Sequence, residues 1–161
     1  MAAGARLHPS PRIRALRAMA TPRAEAMDKQ TGDLMSNNCL KQLALFEQCD
    51  PGFVEEVSGS LVAEVYSPGQ TIVSEGAESS SLWIITRGRA EALARDGQAR
   101  ILGNGDSFGE AQILGVRRRS TEEVCARTDV HLCVLSRRAL DGVLARRPHE
   151  RALFHYMAVV Q

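Results

Sequence analysis

Lysine is nearly missing from this chain: it occurs only at Lys29 and Lys41, and arginine carries the other basic charge. That bias reads as compositional and carries no functional weight. Net charge is missing too, since 20 Lys+Arg against 19 Asp+Glu leave +1. A near-neutral chain argues against broad electrostatic binding of nucleic acid. No apolar run approaches the length of a membrane-spanning helix, so the chain reads as soluble. Cys39, Cys49, Cys125 and Cys133 form no C-x-x-C pair, and no secretory h-region precedes them. They read as reduced thiols, two of them packed in strands. His8, His131, His149 and His155 share no ligand spacing, so no metal centre is legible.

What remains is a chain of 161 residues with 44% hydrophobic content, enough for one domain and a tail. Residues 1–35 are rich in Arg, Ala and Pro. Arg6, Arg12, Arg14, Arg17 and Arg23 occur with no acid before Glu25, and Pro9, Pro11 and Pro22 break any long helix. This segment reads as a disordered tail. Its composition also fits an organellar transit peptide, with a short amphipathic pattern at Ile13, Leu16 and Ala20. Residues 36–161 are the domain.

Within it, a short helical pattern runs over Cys39 to Phe46. Asp50 is a good N-cap, and Pro51 suits the first helical position. Phe53, Val54, Val57 and Leu61 repeat at helical spacing. The period then changes. Ala63, Val65 and Ile72 mark short extended runs around the turn at Ser67 to Gln70. Leu82 to Ile85 is a buried-type strand containing Trp83, which reads as core. Ala90, Ala92 and Ala94 alternate with other residues up to a hairpin turn at Asp96-Gly97. Val124 to Thr128 and Val130 to Leu135 are further strands, with His131 facing solvent. Ser136 caps a helix with Ala139, Leu140, Val143 and Leu144 on its apolar face, and Pro148 starts the last one, carrying Leu153, Phe154, Met157 and Val160. The fold class is α+β, mainly β: an antiparallel, jelly-roll-like β-roll of eight short strands, with an N-terminal helix and two C-terminal helices.

Residues 103 to 121 carry the chemistry. Gly103, Gly105 and Gly109 allow close backbone approach. A short helix from Glu110 would present free N–H groups to an anion. Arg117, Arg118 and Arg119 offer a charged fork for phosphate. Glu110 cannot serve a phosphate, but it can accept hydrogen bonds from a hydroxyl pair such as a ribose edge. The stretch asks for one phosphate beside one sugar hydroxyl.

Tyr66-x-Pro68-Gly69-x-x-Ile72-x-x-x-Gly76, Leu82-Trp83-Ile84-Ile85-x-x-Gly88 and Gly105-Asp106-x-Phe108-Gly109-Glu110 resemble the cyclic nucleotide-binding domain family. The resemblance covers roughly residues 40–161. The lead-in Leu45-Phe46-x-x-Cys49-Asp50-Pro51-x-Phe53 is most similar to domains of hyperpolarisation-activated and cyclic nucleotide-gated cation channels. The resemblance implies cAMP or cGMP as ligand and no further cofactor. It implies Glu110 on the ribose 2′-hydroxyl, and backbone N–H groups of Gly109, Glu110 and Ala111 on the cyclic phosphate. Arg119, with Ser120 and Thr121 beside it, is the implied phosphate partner, and a C-terminal helix closes over the base.

Two departures stand out. Ala111 and Gln112 replace an aliphatic and a small residue. Thr121, Glu122 and Glu123 stand where the family has Ala, which puts acids near the phosphate. Keeping Arg119 in place requires one extra residue, taken up as a bulge; without it, Ser120 falls on the arginine position and Arg118 is the substitute. The chain reaches Gln161 about where the family places base contacts, so the lid is expected to be short. The expected function is a regulatory, non-enzymatic, cytoplasmic module whose C-terminal helix moves on binding and acts on a fused or partner effector such as a channel. The alternative is a degenerate domain that serves assembly without ligand. A cupin-type metal enzyme needs clustered histidines. A DNA-binding regulator needs a helix-turn-helix after the last helix, and none is legible.

Overall fold

The computed structural model describes residues 39–160. The tail expected over residues 1–35, with its transit-peptide reading, lies outside them. Residues 39–41 are helical and Ala44–Phe46 form a 3-10 turn. Helix α1, Pro51–Ser58, begins as the sequence predicts: the Asp50 carboxylate accepts from the amides of Gly52 (2.9 Å) and Phe53 (3.3 Å). Pro51 adds no orphan donor at this end. Phe53, Val54 and Val57 are buried.

Eight strands follow: β1 Val62–Tyr66, β2 Thr71–Val73, β3 Ser81–Arg87, β4 Ala90–Ala94, β5 Ala99–Leu102, β6 Ser107–Phe108, β7 Glu122–Ala126 and β8 Val130–Ser136. They form two antiparallel sheets, β1-β8-β3-β6 and β2-β7-β4-β5. The strand predicted over Val124 to Thr128 starts and ends two residues earlier. The amides of Arg127 and Thr128 both donate to the Arg89 carbonyl, which turns the chain out of the ladder. His131 is half-buried on β8.

One core lies inside the roll, where Ile85, Ala90, Ala92, Val124, Ala126 and Leu132 meet. A second lies between the first sheet and the helices. There, α3 (Arg137–Leu144) starts where the Ser136 hydroxyl accepts from the Ala139 amide at 3.2 Å. Helix α4, Pro148–Val160, is seated through Phe154, whose ring lies 5.7 Å from Phe46 and 5.8 Å from Phe53. Truncating a buried Phe of this kind costs about 3–5 kcal/mol. Arg147, just before α4, pairs with Glu56 of α1 at 2.5 Å and with Asp50 at 3.5 Å. Both ends of the helical layer are therefore tied to α1.

Among the described residues, no helix is long and apolar enough to cross a membrane. No group of three or more His, Cys, Asp or Glu among them could hold a metal ion.

Candidate functional site

A cavity of about 190 Å³ opens between the second sheet and the segment that follows β6. Its position follows from one glycine. Gly109 has φ +94 and caps the short helix α2, Glu110–Ile113. An L side chain is strained at that angle. A Cβ there would also collide with the Ser81 carbonyl oxygen and lie 2.9 Å from Cε3 of Trp83. Chain and helix can therefore drop onto β3 and leave space above. The first amides of α2 have no partner within the helix, as at any helix start.

Five of the six predicted site residues, Gly109, Glu110, Ala111, Ser120 and Thr121, line this cavity. The Ser107 hydroxyl hydrogen-bonds to Oε1 of Glu110 and holds its carboxylate there. Trp83 lies against the inner core, stacked on Phe108 at 5.3 Å and 7°, yet it also lines the cavity. It is a wall residue and not only the core residue the sequence suggests.

Arg119 is the exception. Its guanidinium donates to the Gly76 carbonyl (2.8 Å) and pairs with Glu78 (3.1 Å), on the surface and away from the cavity lining. Its backbone stays close, because Nε2 of buried Gln112 donates to the Arg119 carbonyl at 3.0 Å. Arg117 is the residue of the arginine run that lines the cavity.

The bulge expected after Arg119 is also placed differently. The register shift lies in β2, between Thr71 and Val73, opposite Cys125 and Val124. Glu78 faces Arg119 and Val73 faces Val124, so residues 119–124 run in step with 78–73. Within this segment the Ser120 hydroxyl donates to the Glu122 carbonyl and accepts from the Glu122 amide.

Arg100 escaped the sequence reading as a member of the site, and Glu122 was read there only as an acid near the phosphate; both line the cavity. Arg100 lies opposite Ala92 on the inner face of the second sheet, and Glu122 precedes buried Val124 by two residues on the same face. They meet over the small side chains of β4, with Arg100 Nη2 2.8 Å from Glu122 Oε2 and Nε 3.4 Å from Oε1. Hydrogen bonding to Glu122, with Glu110 and Asp106 adding charge, raises the Arg100 pKa above its ordinary value. Glu122 thus enters the cavity paired with Arg100. Glu123 takes the opposite face, where its carboxylate lies 3.5 Å from the Cys125 sulfur. The signal was available: period-two alternation with Leu102 and Val124 puts Arg100 and Glu122 inside.

Comparison with known proteins agrees with this architecture. The family model "Cyclic nucleotide-binding domain" matches residues 63–147. Potassium/sodium hyperpolarization-activated cyclic nucleotide-gated channel 1 of Rattus norvegicus is 32% identical over 139 residues, covering 84% of this chain and 15% of that protein. The Homo sapiens channel 1 is 33% identical over 138 residues, covering 84% of this chain and 15% of the channel. The crystal structure of the N-terminal domain of a transcriptional regulator from Streptomyces coelicolor A3(2) superimposes with a TM-score of 0.65 at 25% identity, covering 76% of this chain and 87% of that one. The chain spans about 15% of the length of these channel relatives. With its matched segment running from β1 just past the end of α3, its two four-stranded sheets and the Phe108-Gly109-Glu110 turn after β6, the chain belongs to the cyclic nucleotide-binding domain family.

Proposed function

We propose that the domain is a regulatory module that binds a cyclic nucleotide, cAMP or cGMP, in the cavity above Trp83 and α2. The observation that carries this reading is Glu110: a carboxylate held by Ser107 inside a cavity that arginines and a helix start also line. Glu110 accepts from the ribose 2′-hydroxyl. The amides of Gly109, Glu110 and Ala111, with the hydroxyls of Ser120 and Thr121, receive the cyclic phosphate. Arg117 faces the phosphate from the cavity wall. Arg119 joins when it leaves Glu78, since both partners are largely exposed and such pairs are worth about 0–1 kcal/mol.

Binding acts on the C-terminal helix. Among the described residues, neither α3 nor α4 lines the cavity, so closure over the base requires α4 to move toward the roll. A ligand favouring the closed arrangement shifts the population by its differential affinity, and a fused or partner effector reads the shift. A channel on the cytoplasmic side of a membrane is one such effector. Calorimetric titration with cAMP and with cGMP tests the reading. Heat that saturates below about millimolar ligand, and falls at least about tenfold in affinity in Glu110→Ala, is expected. No heat from a folded protein sinks it. That result would favour the second reading, an assembly module without ligand, for which Arg119 outside the cavity and Glu122 inside it are the motivating observations.

A further inference from the structure

Ser120 belongs at once to the arginine run and to the cavity. Arg117, Arg118 and Arg119 precede it directly, so arginines stand three and two residues before a hydroxyl. Kinases choose their substrates by charge patterns of this kind. The run is presented outward, since residues 115–119 are exposed. Among the described residues, the guanidinium groups of Arg117 and Arg118 take no hydrogen bond or ion pair, while Gly76 and Glu78 take that of Arg119. Ser120 itself lines the cavity, on the face it shares with Glu122 and buried Val124. A kinase needs such a segment extended and loose. Three backbone hydrogen bonds hold this one: the Ser120 amide to the Ala77 carbonyl, the Gly76 amide to the Ser120 carbonyl, and the Ser79 amide to the Arg118 carbonyl. Side-chain bonds from Gln112 and to Gly76 add to them. None of residues 74–80 or 115–121 is buried. Peeling this bridge therefore uncovers little apolar surface, and local opening of that kind costs far less than unfolding.

We infer that Ser120 is a phosphorylation site, and that its modification closes the cavity to cyclic nucleotide. The Ser120 Oγ attacks the γ-phosphorus of ATP. The bond from that phosphorus to the β,γ-bridging oxygen breaks, ADP leaves, and the hydroxyl proton passes to a base of the kinase. The product carries a charge of about −1.5 to −2 and three acceptor oxygens, at a position that lines the cavity. Arg117, in the same lining, is the partner for the new group. A cavity of about 190 Å³ that already holds the Glu110 and Glu122 carboxylates then has neither the room nor the charge for a second phosphate. The modification rests on the arginine run and on the place of Ser120 in the fold. Its consequence rests on the reading that this cavity takes a cyclic nucleotide. Exclusion is mutual, so bound nucleotide also shields Ser120 from the kinase.

The test uses the full chain, ATP and the isolated catalytic subunit of an arginine-directed serine kinase. Phosphoryl incorporation at Ser120 is expected, mapped by peptide fragmentation. It is lost in Ser120→Ala and largely lost in Arg118→Ala, whose side chain is not part of the cavity lining. Saturating cAMP or cGMP slows labelling of Ser120 by about fivefold or more, while a peptide of residues 114–124 is labelled at an unchanged rate. The purified phosphorylated protein, shown to be folded by its cooperative melt, binds both nucleotides at least about tenfold more weakly than the unmodified protein in calorimetry. No label at Ser120 in the folded, unliganded protein, or label on Thr121 in its place, overturns the inference and leaves cyclic nucleotide binding intact. Equal affinities of the phosphorylated and unmodified proteins overturn it as well. No binding by the unmodified protein overturns the regulatory consequence together with the proposed function. The mapping is made on the wild-type protein, so it decides the matter even where a variant fails to fold.

Discussion

Gly109 rests on Trp83 so closely that no side chain fits between them. A Cβ at Gly109 would lie 2.9 Å from Trp83 Cε3 and 3.0 Å from its Cζ3, with the Ser81 carbonyl oxygen nearer still. The contact sets the height of α2 above β3, and with it the depth of the cavity. Gly109→Ala therefore combines a left-handed φ with a backbone clash. It is expected to lose about 1–3 kcal/mol of stability and to weaken cyclic nucleotide binding as α2 lifts. Urea unfolding and calorimetry read the two effects, and an unchanged midpoint contradicts the packing described.

Asp50 caps α1 and also lies 3.5 Å from Arg147. Asp50→Ala is expected to cost about 1 kcal/mol, the usual worth of a cap. Asp50→Asn keeps the acceptor and drops the charge, so it should recover most of that loss. Equal midpoints for the Ala and Asn variants would assign the effect to the ion pair and not to the cap.

Glu56 links α1 to the start of α4. A hydrogen bond from Arg147, with a second from Arg146, holds its carboxyl below the ordinary carboxylate range. The folded state therefore binds this proton less readily than the unfolded chain. The stability from Glu56 is present above the unfolded carboxylate range and is lost as pH falls through the lower folded value. Wild type and Glu56→Gln should differ in Tm near about pH 6 and converge toward about pH 3. Parallel curves over that range would show that the link carries no pH dependence.

Cys49 sits between the 3-10 turn and α1 and is half-buried. Burial pushes its thiol up to about 11, and the charge of Glu150 adds to the effect. Little thiolate exists at neutral pH, so alkylation of Cys49 by iodoacetamide should be slower by well over about tenfold in the folded protein than in urea. Glu150→Gln removes the second contribution and should speed the reaction. Peptide mapping identifies the site, and equal rates in folded and unfolded protein would refute the assignment.

Much of this molecule is written locally. Asp50 with Pro51, Ser136 before Ala139, and Asp96-Gly97 each set an element end through bonds to neighbours within three residues. The Phe108-Gly109-Glu110 turn is of the same kind, because a left-handed glycine followed by a helix start is a property of the tripeptide and its backbone. The period-two pattern of β4 likewise separates its buried positions, Ala90 and Ala92, from the others. These features survive any rearrangement of distant segments, which is why reading the chain alone recovers them and the order of elements.

The arginine run is different. Arg117, Arg118 and Arg119 are chemically identical, and no local rule chooses among them. The choice is made by Gly76 and Glu78, which lie 43 and 41 residues before Arg119 and take its guanidinium. Gln112, read from sequence only as a departure from pattern, anchors the Arg119 carbonyl from the cavity wall. Arg100 and Glu122 become a cavity pair only once β5, β4 and β7 lie side by side. Sequence alone determined the roll, its capped helices and the acid at the head of α2, because short-range sterics and hydrogen bonds specify them. Tertiary structure alone decided which arginine of the run stays at the cavity and which charges pair there, because an arginine or glutamate side chain is long enough to go either way and follows the partner that the fold brings within reach.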